Sequence, residues 1–272
     1  MKKVMVFGAT GMLGHVVVRY LRESGAYSVF PCARNGGKDC IAVDVTDFRR
    51  VYSVLEEHKP DYFINAVGML VKASAENPGL AILVNSYFPH YLAEVGVKLG
   101  FKLIHVSTDC VFSGKTGGYR EDSFRDGDSM YDRTKALGEI VDAKNLTIRT
   151  SIIGPELNQN GTGLFFWFMN QRGNVRGYTN ALWSGVTTLE LAKAIDAAMR
   201  QGVAGLYQLT MSPISKYDLL ILIKKIWGKN DVDVVPYPDF HCDKSMVCTR
   251  KDFQYALPDS YETMLKELYA WY

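Results

Sequence analysis

Tyr131 and Lys135 are the two residues of this chain best suited to acid–base chemistry, because they stand four positions apart. On a helix this spacing puts both side chains on one face. A free tyrosine has a pKa of about 10, and a nearby ammonium group favours the phenolate and brings that pKa towards neutrality. Tyr131 could then donate a proton to a carbonyl oxygen while Lys135 binds the ribose of a nucleotide cofactor. The spacing alone is common by chance, so it needs support from elsewhere in the chain.

That support comes from residues 107–114, which read S-T-D-C-V-F-S-G directly after a predicted strand. A hydroxyl group at the end of a strand can hold a substrate carbonyl beside the phenol. Thr108 is the preferred candidate for this role, with Ser107 as the neighbouring alternative. We therefore predict that the catalytic residues are Thr108, Tyr131 and Lys135.

A glycine-rich loop, G-A-T-G-M-L-G at residues 8–14, follows an apolar strand and opens a helix. This is the context that a dinucleotide-binding loop requires. The first glycine permits a sharp turn, the second lets the backbone approach a pyrophosphate, and the third lets the helix pack on the sheet. The start of the helix then offers free N–H groups to the phosphates. The predicted cofactor contacts of this loop are Gly8, Thr10, Gly11, Met12 and Leu13.

The residue that follows the second predicted strand indicates which dinucleotide binds. NAD enzymes usually place an acidic residue there to hold the ribose 2′-hydroxyl. This chain has Arg34 instead, and a guanidinium group suits the 2′-phosphate of NADP(H). A solvated surface charge is the alternative interpretation of Arg34. Further cofactor contacts, besides Tyr131 and Lys135, are predicted after the third and fourth strands: Asp44, Val45, Ala66, Val67 and Gly68.

The elements that position these residues alternate between strands and helices in the first half of the chain. This alternation predicts an α/β fold, a Rossmann-type doubly wound parallel sheet with a smaller C-terminal substrate lobe. The carboxyl ends of parallel strands gather at one edge, where ligands bind. The predicted strands are 4–7, 28–31, 41–43, 62–65, 102–106 and 146–149, and the predicted helices between them are 12–23, 48–58, 80–99 and 130–143.

After about Thr150 the pattern changes to glycine-rich turns, an aromatic cluster at 165–168 and more widely spaced elements. We predict an NADP-binding Rossmann domain at 1–150. Residues 151–272 are predicted to form mainly a substrate-binding lobe, with some segments returning to the main sheet. The predicted elements there are helices at 187–200, 215–227 and 261–269 and a strand at 206–209.

Composition narrows the classes of protein to consider. The 272 residues are 47% hydrophobic and 22% charged, with a formal net charge of +2 and no block of like charge. We therefore expect neither a nucleic-acid partner nor a membrane partner. Five scattered cysteines predict reduced thiols in a cytoplasmic protein. His241, Cys242 and Cys248 fit no common zinc spacing, so no metal site is predicted.

The glycine loop, the S-T-D-x-V-F-x-G segment and the Tyr/Lys helix together resemble the extended short-chain dehydrogenases, specifically the dTDP-4-dehydrorhamnose reductase family. Further matching pieces are residues 118–122, 137–139, 149–151 and 183–187. The resemblance places the family's catalytic triad on Thr108, Tyr131 and Lys135. It implies NADPH-dependent reduction of a 4-keto group on a nucleotide-activated deoxysugar in surface polysaccharide biosynthesis, and a homodimer as a possible assembly.

The chain also departs from this family. Cys110 stands where the family usually has Tyr, and residues 163–168 are closer to relatives that act on other 4-keto sugars, including UDP-linked N-acetylated amino sugars. Arg149 and Arg172 are candidates to pair with the substrate diphosphate, and packing explains Trp183 and residues 165–168 equally well. The predicted substrate contacts are Cys110, Phe112, Trp167, Arg176 and Trp183.

Two other functions remain open at this stage. An epimerase on the same fold would recycle the nicotinamide within one turnover, whereas a dehydratase is disfavoured because no Glu follows Asp109. A non-catalytic NADP-binding regulatory subunit is disfavoured by the intact Thr, Tyr and Lys set.

Overall fold

A seven-stranded parallel sheet forms the centre of the protein. The computed structural model describes residues 1–37, 39–158 and 160–272. The order of the strands across this sheet is β10-β6-β5-β4-β1-β2-β3, and all pairs within it are parallel. The α/β, Rossmann-type prediction is therefore confirmed. The strands of the main sheet are β1 Lys2–Phe7, β2 Tyr27–Ala33, β3 Ile41–Ala42, β4 Tyr62–Asn65, β5 Lys102–Thr108, β6 Leu146–Thr150 and β10 Gly205–Gln208.

Helices cover both faces of this sheet because alternate residues of the central strands are apolar on both sides. Val4 and Val6 of β1 belong to one buried cluster, whereas Met5 and Phe7 belong to another. The first cluster also includes buried residues of α1 and α8, and the second includes buried residues of α2 and α5. The helices are α1 Gly14–Glu23, α2 Phe48–His58, α3 Val71–Glu76, α4 Pro78–Ala81, α5 Phe88–Leu99, α6 Met130–Leu137, α7 Leu164–Met169, α8 Thr188–Gln201, α9 Lys216–Trp227 and α10 Tyr261–Trp271.

The second half of the chain adds two small sheets and one strand of the main sheet. A three-stranded sheet has the order β11-β8-β12, and a two-stranded sheet pairs β7 with β9. The sequence analysis did not predict β8 and β12. Their sequences are interrupted by Gly, Asn, Asp and Pro, residue types that are depleted in strands, so propensity gave little signal. The strands are β7 Ile152–Ile153, β8 Gly173–Trp183, β9 Val186–Thr187, β11 Ile214–Ser215 and β12 Val232–Asp243.

The predicted helix at 130–143 ends early, at Leu137. Directly after this end two backbones approach closely, and a Cβ atom at Gly138 would collide with the carbonyl oxygen of Asn85. Asn85 itself lies in a short π-helix, Ile82–Tyr87, that interrupts the predicted helix at 80–99. Such widened turns are frequent at functional sites.

Within the described residues, no helix combines the length and apolar character needed to cross a membrane. In the same part of the chain, no group of three or more His, Cys, Asp or Glu side chains is arranged to hold a metal ion.

The contact between Gly138 and Asn85 generates a stability prediction. We expect Gly138→Ala to lower the free energy of unfolding by about 1–3 kcal/mol, because the added methyl group collides with backbone. Gly79→Ala is the matched control, since a Cβ atom there meets nothing within 4 Å. This control should be neutral or stabilising, by up to about 1 kcal/mol. Urea unfolding of both variants measures the difference, and equal stability would contradict the close contact.

Candidate active site

The glycine loop has the tight geometry that its sequence predicts. Gly8 has φ +82°, and a Cβ atom there would lie 2.9 Å from the carbonyl oxygen of Ala66. A Cβ atom at Gly14 would lie 2.0 Å from the carbonyl oxygen of Gly8. Both positions therefore require glycine, the first for its conformation and the second for the close approach of α1 to the turn.

The same turn presents free backbone donors at the start of α1. The N–H of Gly11 donates to the carbonyl of Gly8 at 2.9 Å. Across the described residues, the N–H groups of Thr10, Met12 and Leu13 donate no hydrogen bond within the protein. A helix start with unsatisfied N–H groups is an anion-binding site, so this loop fits the pyrophosphate of a dinucleotide.

Arg34 and Asp44 lie together at the edge of the sheet where β2 and β3 end. Arg34 Nε is 3.5 Å from Asp44 Oδ2, and the Arg34 side chain is 72% exposed. Hydrogen bonds from Thr46 hold the pKa of Asp44 below its usual value, and Arg34 contributes to the same effect. The exposed guanidinium group is therefore free to meet a phosphate. Val45 has its side chain buried in the core, so its predicted cofactor contact would be made by its backbone.

Asn85, which the sequence analysis missed, connects the loop after β4 to α6. Its amide oxygen accepts from the N–H of Met69 at 2.8 Å, and its amide nitrogen donates to the carbonyl of Met69 at 3.0 Å. The same nitrogen donates to Thr134 Oγ1 at 3.2 Å. Since Thr134 directly precedes Lys135, Asn85 sets the position of the predicted cofactor loop 66–68 relative to the catalytic helix. No local pattern marks such a role.

Thr108 and Tyr131 are brought together by the end of β5 and the start of α6. A capping box between Ser129 and Asp132 fixes the first turn of α6 and hence the position of Tyr131. Burial raises the pKa of Tyr131 above its usual value and Cys110 adds to the effect, while a hydrogen bond with Thr108 lowers it in part. The phenol is therefore held in its protonated form, with the threonine hydroxyl beside it.

Lys135 is buried and lies against β5 rather than acting directly on the phenol. Its Nζ donates to the carbonyl of Val106 at 2.8 Å. Burial lowers the pKa of Lys135 to about 8, and the carboxylate of Glu139 opposes this shift. The Thr108 contact is the influence that opposes the effect of burial on the pKa of Tyr131.

A buried ion pair lies beside the predicted catalytic residues Thr108 and Lys135. Arg149 donates to Glu139 through Nε at 2.8 Å and through Nη2 at 2.7 Å, and Ser107 Oγ donates to the same carboxylate at 2.7 Å. Burial alone would raise the pKa of Glu139, but Arg149 and Ser107 outweigh it and hold the pKa below its usual value. Arg149 is thus a structural partner of Glu139, and its predicted contact with a substrate diphosphate is wrong.

The network continues to the end of β10 and to two loops. Arg149 Nη1 donates to Gln208 Oε1 at 3.0 Å, and Gln208 Nε2 donates to the carbonyls of Tyr119 and Val247 at 2.9 Å each. Phe112 packs in this layer, stacked on Tyr119 with ring centroids 4.2 Å apart. Its side chain has no exposed surface, so the prediction that Phe112 contacts the substrate needs correction.

A cavity of about 800 Å³ opens beside the catalytic strand end. It begins at Asp109 and Cys110, the two residues that follow Thr108, and extends along β8. Four of the five predicted substrate contacts line it: Cys110, Trp167, Arg176 and Trp183. Arg172 lies elsewhere and pairs with Asp231 on the surface. The sequence analysis missed the lining residues Tyr178, Lys216, Phe240, Cys242 and Lys244.

Comparison with known proteins places this geometry in a family. The model of the family described as "RmlD substrate binding domain" matches residues 1–247, which is most of the chain. The chain belongs to the RmlD family. The predicted resemblance to extended short-chain dehydrogenases of the dTDP-4-dehydrorhamnose reductase type is thereby confirmed.

Three known proteins illustrate how this RmlD family member relates to others. It is 28% identical over 201 residues to the spore coat polysaccharide biosynthesis protein SpsK of Bacillus subtilis, covering 72% of the chain and 69% of that protein. It is 32% identical over 157 residues to a dTDP-4-dehydrorhamnose reductase of Aggregatibacter actinomycetemcomitans, covering 56% of the chain and 51% of that protein. A dTDP-4-dehydrorhamnose reductase of Bacillus anthracis, solved in complex with NADP, has the same fold, with a TM-score of 0.84, 20% identity and 99% coverage of both chains.

The ion pair behind the site of this RmlD family protein generates a second prediction. We expect Glu139→Gln to lower the free energy of unfolding at pH 7 by about 3–5 kcal/mol, because Arg149 loses the charge that compensates it. Since the folded-state pKa of Glu139 is lowered, its contribution is present above the unfolded-state pKa of about 4.3 and is lost as pH falls through the folded-state pKa.

Urea unfolding at pH 7 and below pH 4 measures both effects, and the gap between wild type and variant should narrow in acid. Glu262→Gln is the control, since Glu262 forms its ion pairs with Lys225 and Lys266 at the surface. If Glu139→Gln lost no more stability than Glu262→Gln, the buried ion pair would contribute nothing to the free energy of unfolding.

Proposed function

We propose that the protein reduces a 4-keto group on a nucleotide-activated sugar at the expense of NADPH. The proposal rests on one observation: three parts of the site lie at the same edge of the main sheet. The glycine loop, the Thr108–Tyr131 pair and the mouth of the cavity all lie where the parallel strands end. A dinucleotide and a carbonyl substrate can therefore meet at one point.

Each residue has a defined part in this reaction. NADPH supplies the hydride when it is bound. Tyr131, which is protonated at neutral pH, donates its phenolic proton to the carbonyl oxygen. Thr108 orients the carbonyl through its hydroxyl group, and Lys135 would hydrogen-bond the cofactor ribose.

The cavity supports a nucleotide sugar as the substrate. Its volume of about 800 Å³ is within the range of small-molecule sites, and it combines aromatic walls with cationic side chains. Trp167, Tyr178 and Phe240 offer flat surfaces for a base or sugar ring, and Arg176 offers a charge for phosphate. The names of the relatives support the same substrate class, and the name of SpsK supports a role in polysaccharide biosynthesis.

Tyr131→Phe tests the proton donor. We expect turnover to fall by a factor of about 10²–10⁴, because only the donated proton is removed. NADPH affinity should change little, since the glycine loop and Lys135 are intact. The measurement is NADPH absorbance with a panel of dTDP- and UDP-linked 4-keto sugars, together with a fluorescence titration of NADPH.

The same assay separates the reductase from the epimerase. A reductase consumes one NADPH for each sugar converted, whereas an epimerase changes the sugar without net consumption of cofactor. If Tyr131→Phe retained most of the activity, the assignment of the proton donor would be wrong.

Arg34→Asp tests the choice of cofactor. We expect the affinity for NADPH to fall by about tenfold or more, because a charge-assisted contact with the 2′-phosphate is replaced by repulsion. Affinity for NADH should rise, since the new carboxylate can accept from the ribose 2′-hydroxyl. Titration of both cofactors measures the ratio, and an unchanged ratio would remove Arg34 from the phosphate site.

A further inference from the structure

The cavity carries positive charge at both of its ends. Arg176 lies near the start of β8, and Trp183 is the last residue of the same strand. At about 3.3 Å per residue the two positions are roughly 23 Å apart along the strand. Both line the cavity, so it extends along most of β8. One anionic group cannot contact both ends.

Two lysines flank the Trp183 end. In the three-stranded sheet, Leu182 pairs with Ser215 on one side and with Asp243 on the other. Lys244 follows Asp243 on a strand parallel to β8, so its position is beside Trp183. Lys216 follows Ser215 on an antiparallel strand, so its backbone lies beyond Leu182 and its side chain reaches the Trp183 ring. Lys216 Nζ lies 5.0 Å from the centroid of the Trp183 ring, and both lysines line the cavity.

This end of the cavity adjoins the loop that carries the catalytic threonine. The N–H of Asp243 donates to the carbonyl of Gly114 at 2.7 Å. A Cβ atom at Gly114 would lie 3.0 Å from Lys244 Cγ, so the lysine stem packs on that loop. Asp109 and Cys110, at the start of the same loop, line the cavity here. A sugar bound at this end of the cavity lies beside the two residues that follow Thr108.

The charges at this end do not balance. Within the described residues, neither the Lys216 nor the Lys244 ammonium group has a hydrogen-bonded partner. Asp109 is the one carboxylate among the described lining residues, and its charge favours the ammonium form of both lysines. Asp132, outside the lining, acts on Lys244 as well. Within the described lining of this end, two ammonium groups therefore face one carboxylate.

We propose that Lys216 and Lys244 bind a carboxylate carried by the sugar of the substrate. This rests on the proposed function, which places a nucleotide sugar in the cavity. The sugar carboxylate occupies the Trp183 end, and the nucleotide diphosphate lies further along β8 towards Arg176. The substrate class is thus narrowed to acidic 4-keto sugars.

The titration of Lys216 agrees with this placement. Burial lowers the pKa of Lys216 to about 8. Asp109, Cys110 and Cys242 act to raise this pKa, and Lys244 acts to lower it further. A partly desolvated ammonium of this kind gains more from a bound carboxylate than a solvated one does. Because Lys216 is charged below its pKa, the preference for an acidic sugar should weaken as pH rises above about 8.

Calorimetric titration of stable nucleotide sugars, with NADP⁺ present, tests the proposal without turnover. Two matched pairs differ in one carboxylate: UDP-glucuronate against UDP-glucose, and UDP-N-acetylmuramate against UDP-N-acetylglucosamine. We expect the acidic member of at least one pair to bind about tenfold tighter or more. Lys216→Gln and Lys244→Gln should abolish that preference, and Lys216→Arg should retain part of it. Binding of UDP alone should not change.

Lys225→Gln is the control, since Lys225 lies on the same helix and pairs with Glu262 at the surface. Equal affinities within both pairs would overturn the carboxylate proposal. A loss of UDP affinity in Lys216→Gln and Lys244→Gln would also overturn it and assign the lysines to the diphosphate. If no uridine or thymidine nucleotide, with or without a sugar, bound at all, the proposed function itself would fail.

Discussion

The buried ion pair between Glu139 and Arg149 is the constraint on which the site depends. Two opposite charges removed from water are stable only when their remaining hydrogen-bonding capacity is also met. Here Ser107, Gln208 and the pair itself meet it, so the end of α6 and the ends of β5, β6 and β10 are held in one arrangement. Thr108 follows Ser107, and Lys135 precedes Glu139 by four residues across the end of α6. A shift of this pair would therefore move both catalytic elements.

A second constraint is the close approach of backbones on the cofactor side. Gly8 and Gly14 let β1, the turn and α1 come within contact distance, and Gly138 does the same for α6 and the π-helix. Asn85 then uses its side chain to join the loop after β4 to α6. The predicted cofactor loop and the predicted catalytic helix are thus fixed relative to each other through three glycine contacts and one amide, with little dependence on exposed side chains.

The substrate side is built differently. Its walls come from β8, α9 and the end of β12, which are far apart in sequence. Among the described residues at the Trp183 end, two lysines face one carboxylate, and an excess of cations in a cavity favours anionic ligands. In our proposal the buried ion pair sets the position of the site, and the two lysines set its selectivity.

Short segments of the sequence were sufficient to predict the parallel α/β sheet, the glycine loop and the grouping of Thr108, Tyr131 and Lys135. These features depend on local backbone requirements and on helical spacing. A few consecutive residues are enough to determine both. Only the tertiary structure showed that Arg149 is buried against Glu139, that Phe112 is a packing residue, and that Lys216 and Lys244 flank Trp183. These outcomes depend on which distant strands pair and in what register, and no local pattern specifies that.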